Sequence, residues 1–190
     1  MTYPFDTRPV VVALAGPNGA GKSTFYRAHL QAAGLRFANA DDLSRDLGIG
    51  SYEAAEVAAH LRQALVEQRE SFVFETVFSD PVSDKLSFLR DTAVHGYNVV
   101  LCFIGLDSPA LSEGRVAMRV AQGGHDVPSE KLRARYPRTL RNLAAATPDL
   151  PHVLVYDNSD MSHPFRQVAR LEKGKLVFAA TPAPRWLKLR

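Results

Sequence analysis

Cysteine is nearly missing from this chain: Cys102 is the only one among 190 residues. A lone cysteine excludes an internal disulfide, and its place in the apolar run VVLCFIGL (99–106) marks a core thiol rather than a nucleophile. Long apolar stretches are missing too. No run approaches the roughly 20 residues of a membrane-spanning helix, and the opening MTYPFDTRP lacks the charged-then-apolar order of a secretion signal. A cytoplasmic protein with no membrane partner is therefore expected. Internal repeats, low-complexity tracts and interdomain linkers are absent as well. Hydrophobic residues at 46% and charged residues at 23% exclude wholesale disorder. The expectation is a single domain over residues 1–190, large enough to bury a substantial core.

The formal net charge of +3 is unevenly spread. Residues 1–110 carry 9 Lys and Arg against 13 Asp and Glu, residues 111–145 carry 7 against 3, and residues 166–190 carry 7 against 1. The middle basic segment reads as a phosphate-handling element and the last as a solvated tail. No nucleic-acid module or alternation of basic and aromatic residues is present, so a nucleic acid is not the expected partner.

What is present begins with AGPNGAGKSTF (15–25), directly after the apolar run VVVAL. It contains G-x-x-x-x-G-K-S, a loop whose backbone N–H groups converge on phosphate oxygens at a helix N-terminus. Gly16, Pro17, Asn18, Gly19, Ala20, Gly21, Lys22, Ser23 and Thr24 are its candidate nucleotide-binding residues. Lys22 supplies a point charge for the outer phosphates, and the Ser23 hydroxyl is the candidate ligand for Mg2+. The donor is ATP or GTP. A chance glycine-rich turn is the bland alternative, and the β-branched run before the loop with a helical pattern after it argues against that.

Strands and helices alternate along the chain. The runs at 10–15, 35–40, 72–75, 98–106 and 152–157 read as buried parallel strands. A helix is expected from Lys22 to Ala33, ending at Gly34. In SYEAAEVAAHLRQALVEQ (51–68), Val57, Leu61 and Leu65 share a face with Ala54 and Ala58, Glu53, Glu56 and Arg62 point outward, and Ser51 is the N-cap. Two short alternating runs about Lys173 and Gly174 suggest a β-hairpin, and TPAPRWLKLR follows as a tail whose Trp186 docks on the body or on a partner. The pattern implies an α/β domain of the P-loop type: a central parallel sheet in three layers, a basic helical lid at about 111–145, and a C-terminal hairpin and tail at about 162–190.

Ligands gather at the carboxyl ends of such strands. That rim offers Asp41 and Asp42 in ANADD, Glu75 in ETVFS, Asp107 in GLDSPA, and Asp157 and Asn158 in YDNSD, with Asn158 a further candidate nucleotide-binding residue. Asp107 reads as a cap or turn residue, Asp42 as a first-turn residue, and Asp157 as either a cap or a carboxylate that orders magnesium. Arg115 and Arg119 lie four apart and share a helix face before the Gly123–Gly124 pair, with His125 in the connection to a second basic helix beginning after Pro128. Arg138 and Arg141 read as a solvated face.

GPNGAGKST, NAD (39–41), FET (74–76), RVAMRVAQGGHDVP (115–128), RYPRTLRNL (135–143) and YDNS (156–159) together resemble the zeta toxin family of P-loop kinases. The similarity runs over about residues 8–160, and chloramphenicol phosphotransferase-like kinases share the architecture. The resemblance implies transfer of a γ-phosphate to a hydroxyl of UDP-N-acetylglucosamine or a related sugar nucleotide. It implies Asp41 as the general base, Lys22, Arg115 and Arg119 as catalytic cations, and Glu75, Thr76 and His125 as acceptor contacts. A small helical antitoxin is the implied protein partner. Other acceptors remain open as alternatives, namely an antibiotic, a nucleotide cofactor or a nucleic-acid 5′-hydroxyl, as does a nucleotide-binding module that transfers nothing.

Overall fold

The computed structural model describes residues 4–124 and 126–188. The first apolar run becomes β1 (Val10–Ala15), every residue of which is fully buried. Strands lie on both sides of it and helices cover both faces, which explains a continuous apolar run in place of an alternating one. After the loop the chain enters α1 (Lys22–Phe25), widens into a π turn over Tyr26–Leu30, tightens into a 3-10 turn over Gln31–Ala33 and stops at Gly34 with φ of +64°. The expected limits are right, but the geometry is not uniformly α. Phe25 packs toward Tyr156 and Phe165 while its neighbour Tyr26 stacks on Phe37 at 3.9 Å, and the widened turn accommodates both anchors.

The remaining elements are β2 (Arg36–Ala38), α2 (Ala40–Leu47), α3 (Ser51–Glu67), β3 (Phe72–Thr76), α4 (Asp84–Val94), β4 (Asn98–Gly105), α5 (Pro109–Ala121), α6 (Ser129–Ala146), β5 (His152–Asp157), β6 (Arg166–Glu172) and β7 (Lys175–Ala179). Strand two is shorter than expected. Asn39 takes an extended backbone and its side chain accepts the Asp41 N–H at 2.9 Å, so the chain is already capping α2 where a strand would continue. Ser51 is the first residue of α3 rather than its cap, a place held by Gly50. Ser108, not Asp107, caps α5, its hydroxyl accepting the Leu111 N–H at 3.2 Å.

One seven-stranded sheet runs in the order β2-β3-β1-β4-β5-β6-β7. The five strands from β2 to β5 are parallel, and the predicted hairpin β6–β7 extends the sheet antiparallel to β5. Alternate residues feed opposite sides. Val11, Ala13, Phe74, Leu101 and Phe103 pack with Leu65, Leu86, Leu89 and Leu143 on one face. Val10, Val12, Leu14, Cys102 and Ile104 pack with Phe25, Leu30 and Tyr136 on the other. Trp186 docks on the body, 7% exposed and beside Phe103 at 6.1 Å between ring centres. Among the described residues, no helix is long and apolar enough to cross a membrane.

Candidate functional site

The loop between β1 and α1 is built around its lysine. Lys22 is buried, and its Nζ donates to the carbonyls of Gly16 at 3.1 Å and Pro17 at 3.2 Å. Burial lowers its pKa, opposed by the charges of Glu75 and Asp41. Gly21 has φ of +87°, and a Cβ there would stand 2.8 Å from Asn158 Nδ2, so both backbone sign and space require glycine. Asn158 is buried behind the loop. Its Nδ2 donates to the Ala20 carbonyl at 2.9 Å, and its Oδ1 accepts the Phe165 N–H at 3.3 Å. From the other side, Ser112 on α5 donates its hydroxyl to the Asn18 carbonyl at 2.6 Å.

Sheet register brings Glu75 to this loop. β3 is the neighbour of β1, with Leu14 opposite Glu75 and Ala15 opposite Thr76. The Ser23 hydroxyl donates to Glu75 Oε2 at 2.9 Å, Asn39 Nδ2 donates to the same oxygen at 3.5 Å, and Lys22 Nζ lies 3.7 Å from Oε1. A hydroxyl and a carboxylate side by side are hard oxygen donors, a set that fits Mg2+ bound chiefly through water and phosphate. Among the described residues there is no cluster of three or more His, Cys, Asp or Glu able to hold a metal by themselves.

Asp41 sits in the first turn of α2, exposed, and lines a cleft of about 400 Å³ together with Lys22, Glu75 and Thr76. Thr76 Oγ1 also accepts the Phe78 N–H at 3.0 Å, which fixes its rotamer at the cleft edge. Thr24 is exposed in the first turn of α1. His125 lies outside the described residues.

The two arginines on α5 part company. Arg119 lines the cleft, whereas Arg115 turns its guanidinium to the Ser159 carbonyl at 3.3 Å and to Met161 Sδ at 3.2 Å. Burial lowers the Arg115 pKa, with Asp157 opposing it. At the end of α5 the Gly123 N–H bonds to the Val120 carbonyl and the Gly124 N–H to that of Arg119, the paired pattern of a helix closed by a left-handed residue. Arg133 makes a two-point bond to Glu113, at 2.7 and 3.0 Å, and so ties α6 to α5. Arg135 and Lys131, one turn apart on α6, reach the cleft.

Asp157 is engaged elsewhere. Its Oδ1 accepts from Ser159 N at 3.2 Å, Ser159 Oγ at 2.6 Å and Trp186 Nε1 at 3.1 Å, closing the turn after β5, and Arg166 lies 3.8 Å from its Oδ2. Arg62, expected to point outward, instead lines the cleft, with its guanidinium carbon 5.1 Å from the Phe74 ring centre and 5.7 Å from that of Phe88. The sequence carried a signal for this: Arg62 follows Ala58 by four residues, which places it on the border of the inward face. Lys85 also lines the cleft and was not singled out, since nothing in its neighbourhood distinguishes it from a surface lysine.

Comparison with known proteins places these features in a family. The Zeta toxin profile matches residues 38–167, more than half of the chain, beginning at the end of β2 and so leaving out the phosphate loop. A search of the curated proteins finds no significant match. Among solved structures, the AvrRxo1-ORF1:-ORF2 complex with ATP aligns at TM-score 0.63 and 17% identity, covering 97% of this chain and 66% of the matched one. The PezAT chromosomal toxin-antitoxin system of Streptococcus pneumoniae aligns at 0.60 and 18%, covering 92% of this chain and 75% of that one. A protein of Chloroflexus aurantiacus, provisionally named a kinase, aligns at 0.60 and 17%, covering 83% and 92%. At these identities the structural likeness is one of fold, a P-loop kinase fold, while the profile match carries the membership: the chain belongs to the Zeta toxin family.

Proposed function

We propose that this chain is a kinase that moves the γ-phosphate of ATP or GTP onto a hydroxyl of UDP-N-acetylglucosamine or a related sugar nucleotide. The observation that supports it most is that Asp41 and Lys22 line one cleft, with the carboxylate near enough to oppose the lowering of the lysine's pKa. Phosphoryl transfer demands positioning and charge more than covalent chemistry, and a base beside a phosphate grip supplies both.

In this reading the donor phosphates lie in the loop from Gly16 to Thr24, and Lys22 exchanges the Gly16 and Pro17 carbonyls for phosphate oxygens. Ser23 would hold Mg2+, with Glu75, expected as an acceptor contact, now beside it as a second oxygen donor, and the ion when bound would neutralise charge on the outer phosphates. The acceptor hydroxyl lies beside Asp41. As its oxygen bonds to the γ-phosphorus, the bond from phosphorus to the bridging oxygen breaks, the proton passes to Asp41, and the nucleoside diphosphate departs with the bonding pair. Arg119 counters the charge from the lid, Arg115 joins it only by leaving the Ser159 carbonyl, Thr76 and His125 contact the acceptor, and Asn158 keeps the donor loop in shape. The lid spans about 111–145 and moves within one domain of 1–190. A small helical antitoxin is its proposed protein partner, by analogy with the PezAT toxin-antitoxin system.

The test is Asp41→Asn with ATP, Mg2+ and UDP-N-acetylglucosamine, read as acceptor-dependent ADP release and product mass. Loss of a general base should cut turnover about 10²–10⁴-fold while ATP binding persists. Full acceptor-dependent turnover by that variant removes Asp41 from its role. A phosphorylated product from some other alcohol, and none from sugar nucleotides, replaces the acceptor named here.

A further inference from the structure

The face of α3 that looks into the cleft carries Tyr52, Ala55, Ala58 and Arg62, spaced three or four residues apart. Three of these are ordinary wall residues. Arg62 is not. Its guanidinium carbon lies 5.1 and 5.7 Å from the ring centres of Phe74 and Phe88, which attract its charge but offer no acceptor to its N–H groups. Its Nε is buried without a hydrogen-bond partner among the described residues, and Arg62 takes part in none of the ion pairs found there. Glu75, the carboxylate on the adjoining strand, is already engaged by Ser23, Asn39 and Lys22. Burial lowers the Arg62 pKa, as expected for a cation with no counter-charge.

The whole cleft is cationic beyond what a donor nucleotide needs. Lys22 and Arg119 stand on the loop and lid side, and Arg62, Lys85, Lys131 and Arg135 add four more cations against the carboxylates Asp41, Glu75 and Asp126. α3 packs against α2, the helix that carries Asp41, so the wall bearing Arg62 belongs to the acceptor half. A planar fork set between two aromatic rings, with no hydrogen bond to its N–H groups among the described residues, suits a phosphate oxygen pair.

We propose that Arg62 is the specificity-determining residue of the acceptor half, engaging a phosphate group on the acceptor and so favouring phosphate-bearing alcohols over neutral ones. The inference rests on the kinase reading, and the test separates the two. Protein saturated with Mg2+ and a non-hydrolysable ATP analogue is titrated calorimetrically with UDP-N-acetylglucosamine, other phosphorylated alcohols such as glycerol 3-phosphate, and neutral N-acetylglucosamine. Arg62→Met keeps the packing over the rings and is expected to weaken the phosphate-bearing acceptor about tenfold or more, leaving affinity for the analogue unchanged. In turnover the acceptor KM rises while kcat is nearly kept. Arg62→Lys retains charge without the fork and should fall between; it carries the test if the Met variant does not fold. Unchanged acceptor binding, or an equal loss of analogue binding, overturns the role of Arg62. So does a wild-type protein that, once loaded, binds no phosphorylated alcohol. Retained binding without phosphoryl transfer sinks the kinase reading instead and leaves Arg62 as an anion-binding residue.

Discussion

Trp186 near the C-terminus should be among the costliest residues in the chain to truncate. Its indole is 7% exposed, rests against Phe103 and donates from Nε1 to Asp157 Oδ1 at 3.1 Å. It also fills the space above Gly105, where a Cβ would stand 2.1 Å from the ring. A tryptophan buries about 150–250 Å², which at about 25 cal/mol per Å² corresponds to about 4–6 kcal/mol as an upper bound. The indole keeps some exposure, 7%, so the lower part of the range for large-to-alanine changes applies, about 3–4 kcal/mol for Trp186→Ala. In a chain of this size that lowers Tm by about 6–16 °C. Trp186→Phe keeps most of the packing and loses one donor to an oxygen with two others, and should cost about 1 kcal/mol. Gly105→Ala evicts the same ring, so its cost and that of Trp186→Ala overlap and the double variant is much less damaged than the sum. The assay is thermal and urea denaturation of the wild-type protein and the four variants. A Trp186→Ala melt within about 2 °C of wild type, or full additivity with Gly105→Ala, would refute the docking.

Asn158→Ala strands the Ala20 carbonyl and the Phe165 N–H in a buried site, at about 1–3 kcal/mol, and loosens the loop; a lower melting point together with several-fold weaker ATP binding in a fluorescence titration is expected. His152 has its pKa lowered from 6.5 by burial, which outweighs Glu172. The unfolded chain then takes up the extra proton, so stability falls as pH drops through about 6.5, and urea midpoints across that range should flatten in His152→Gln. Cys102 is fully buried and burial pushes its thiol well above the ordinary range, so iodoacetamide should modify the unfolded protein and spare the native one; rapid full labelling of native protein would contradict the core placement.

The sheet was legible because its buried strands are apolar runs, and the loop because its glycines and lysine leave few alternatives. The hairpin followed from the alternation on either side of Lys173–Gly174. Other features depended on contacts that a linear pattern does not encode. Asn39 ends β2 early because its side chain caps the next helix, a local competition that the apolar count in LRFANA misses. Arg62 and Arg115 turned away from their expected surroundings for related reasons. Helical spacing says which residues share a face, but rings on a distant strand, or a carbonyl after β5, decide where a long side chain finally rests. The bond from Trp186 to Asp157, across 29 residues of chain, is of the same kind.

The two margins of the sheet are unequal. On one side two antiparallel strands buttress β5 and the residue that steadies the donor loop; on the other the sheet ends in β2, three residues long, from which the chain passes directly to Asp41. On the proposed reading, the loop that holds the donor rests on the broad margin and the acceptor meets the narrow one. If that reading holds, a change of acceptor falls along the short margin, in α2 and α3, and leaves the donor loop as it is.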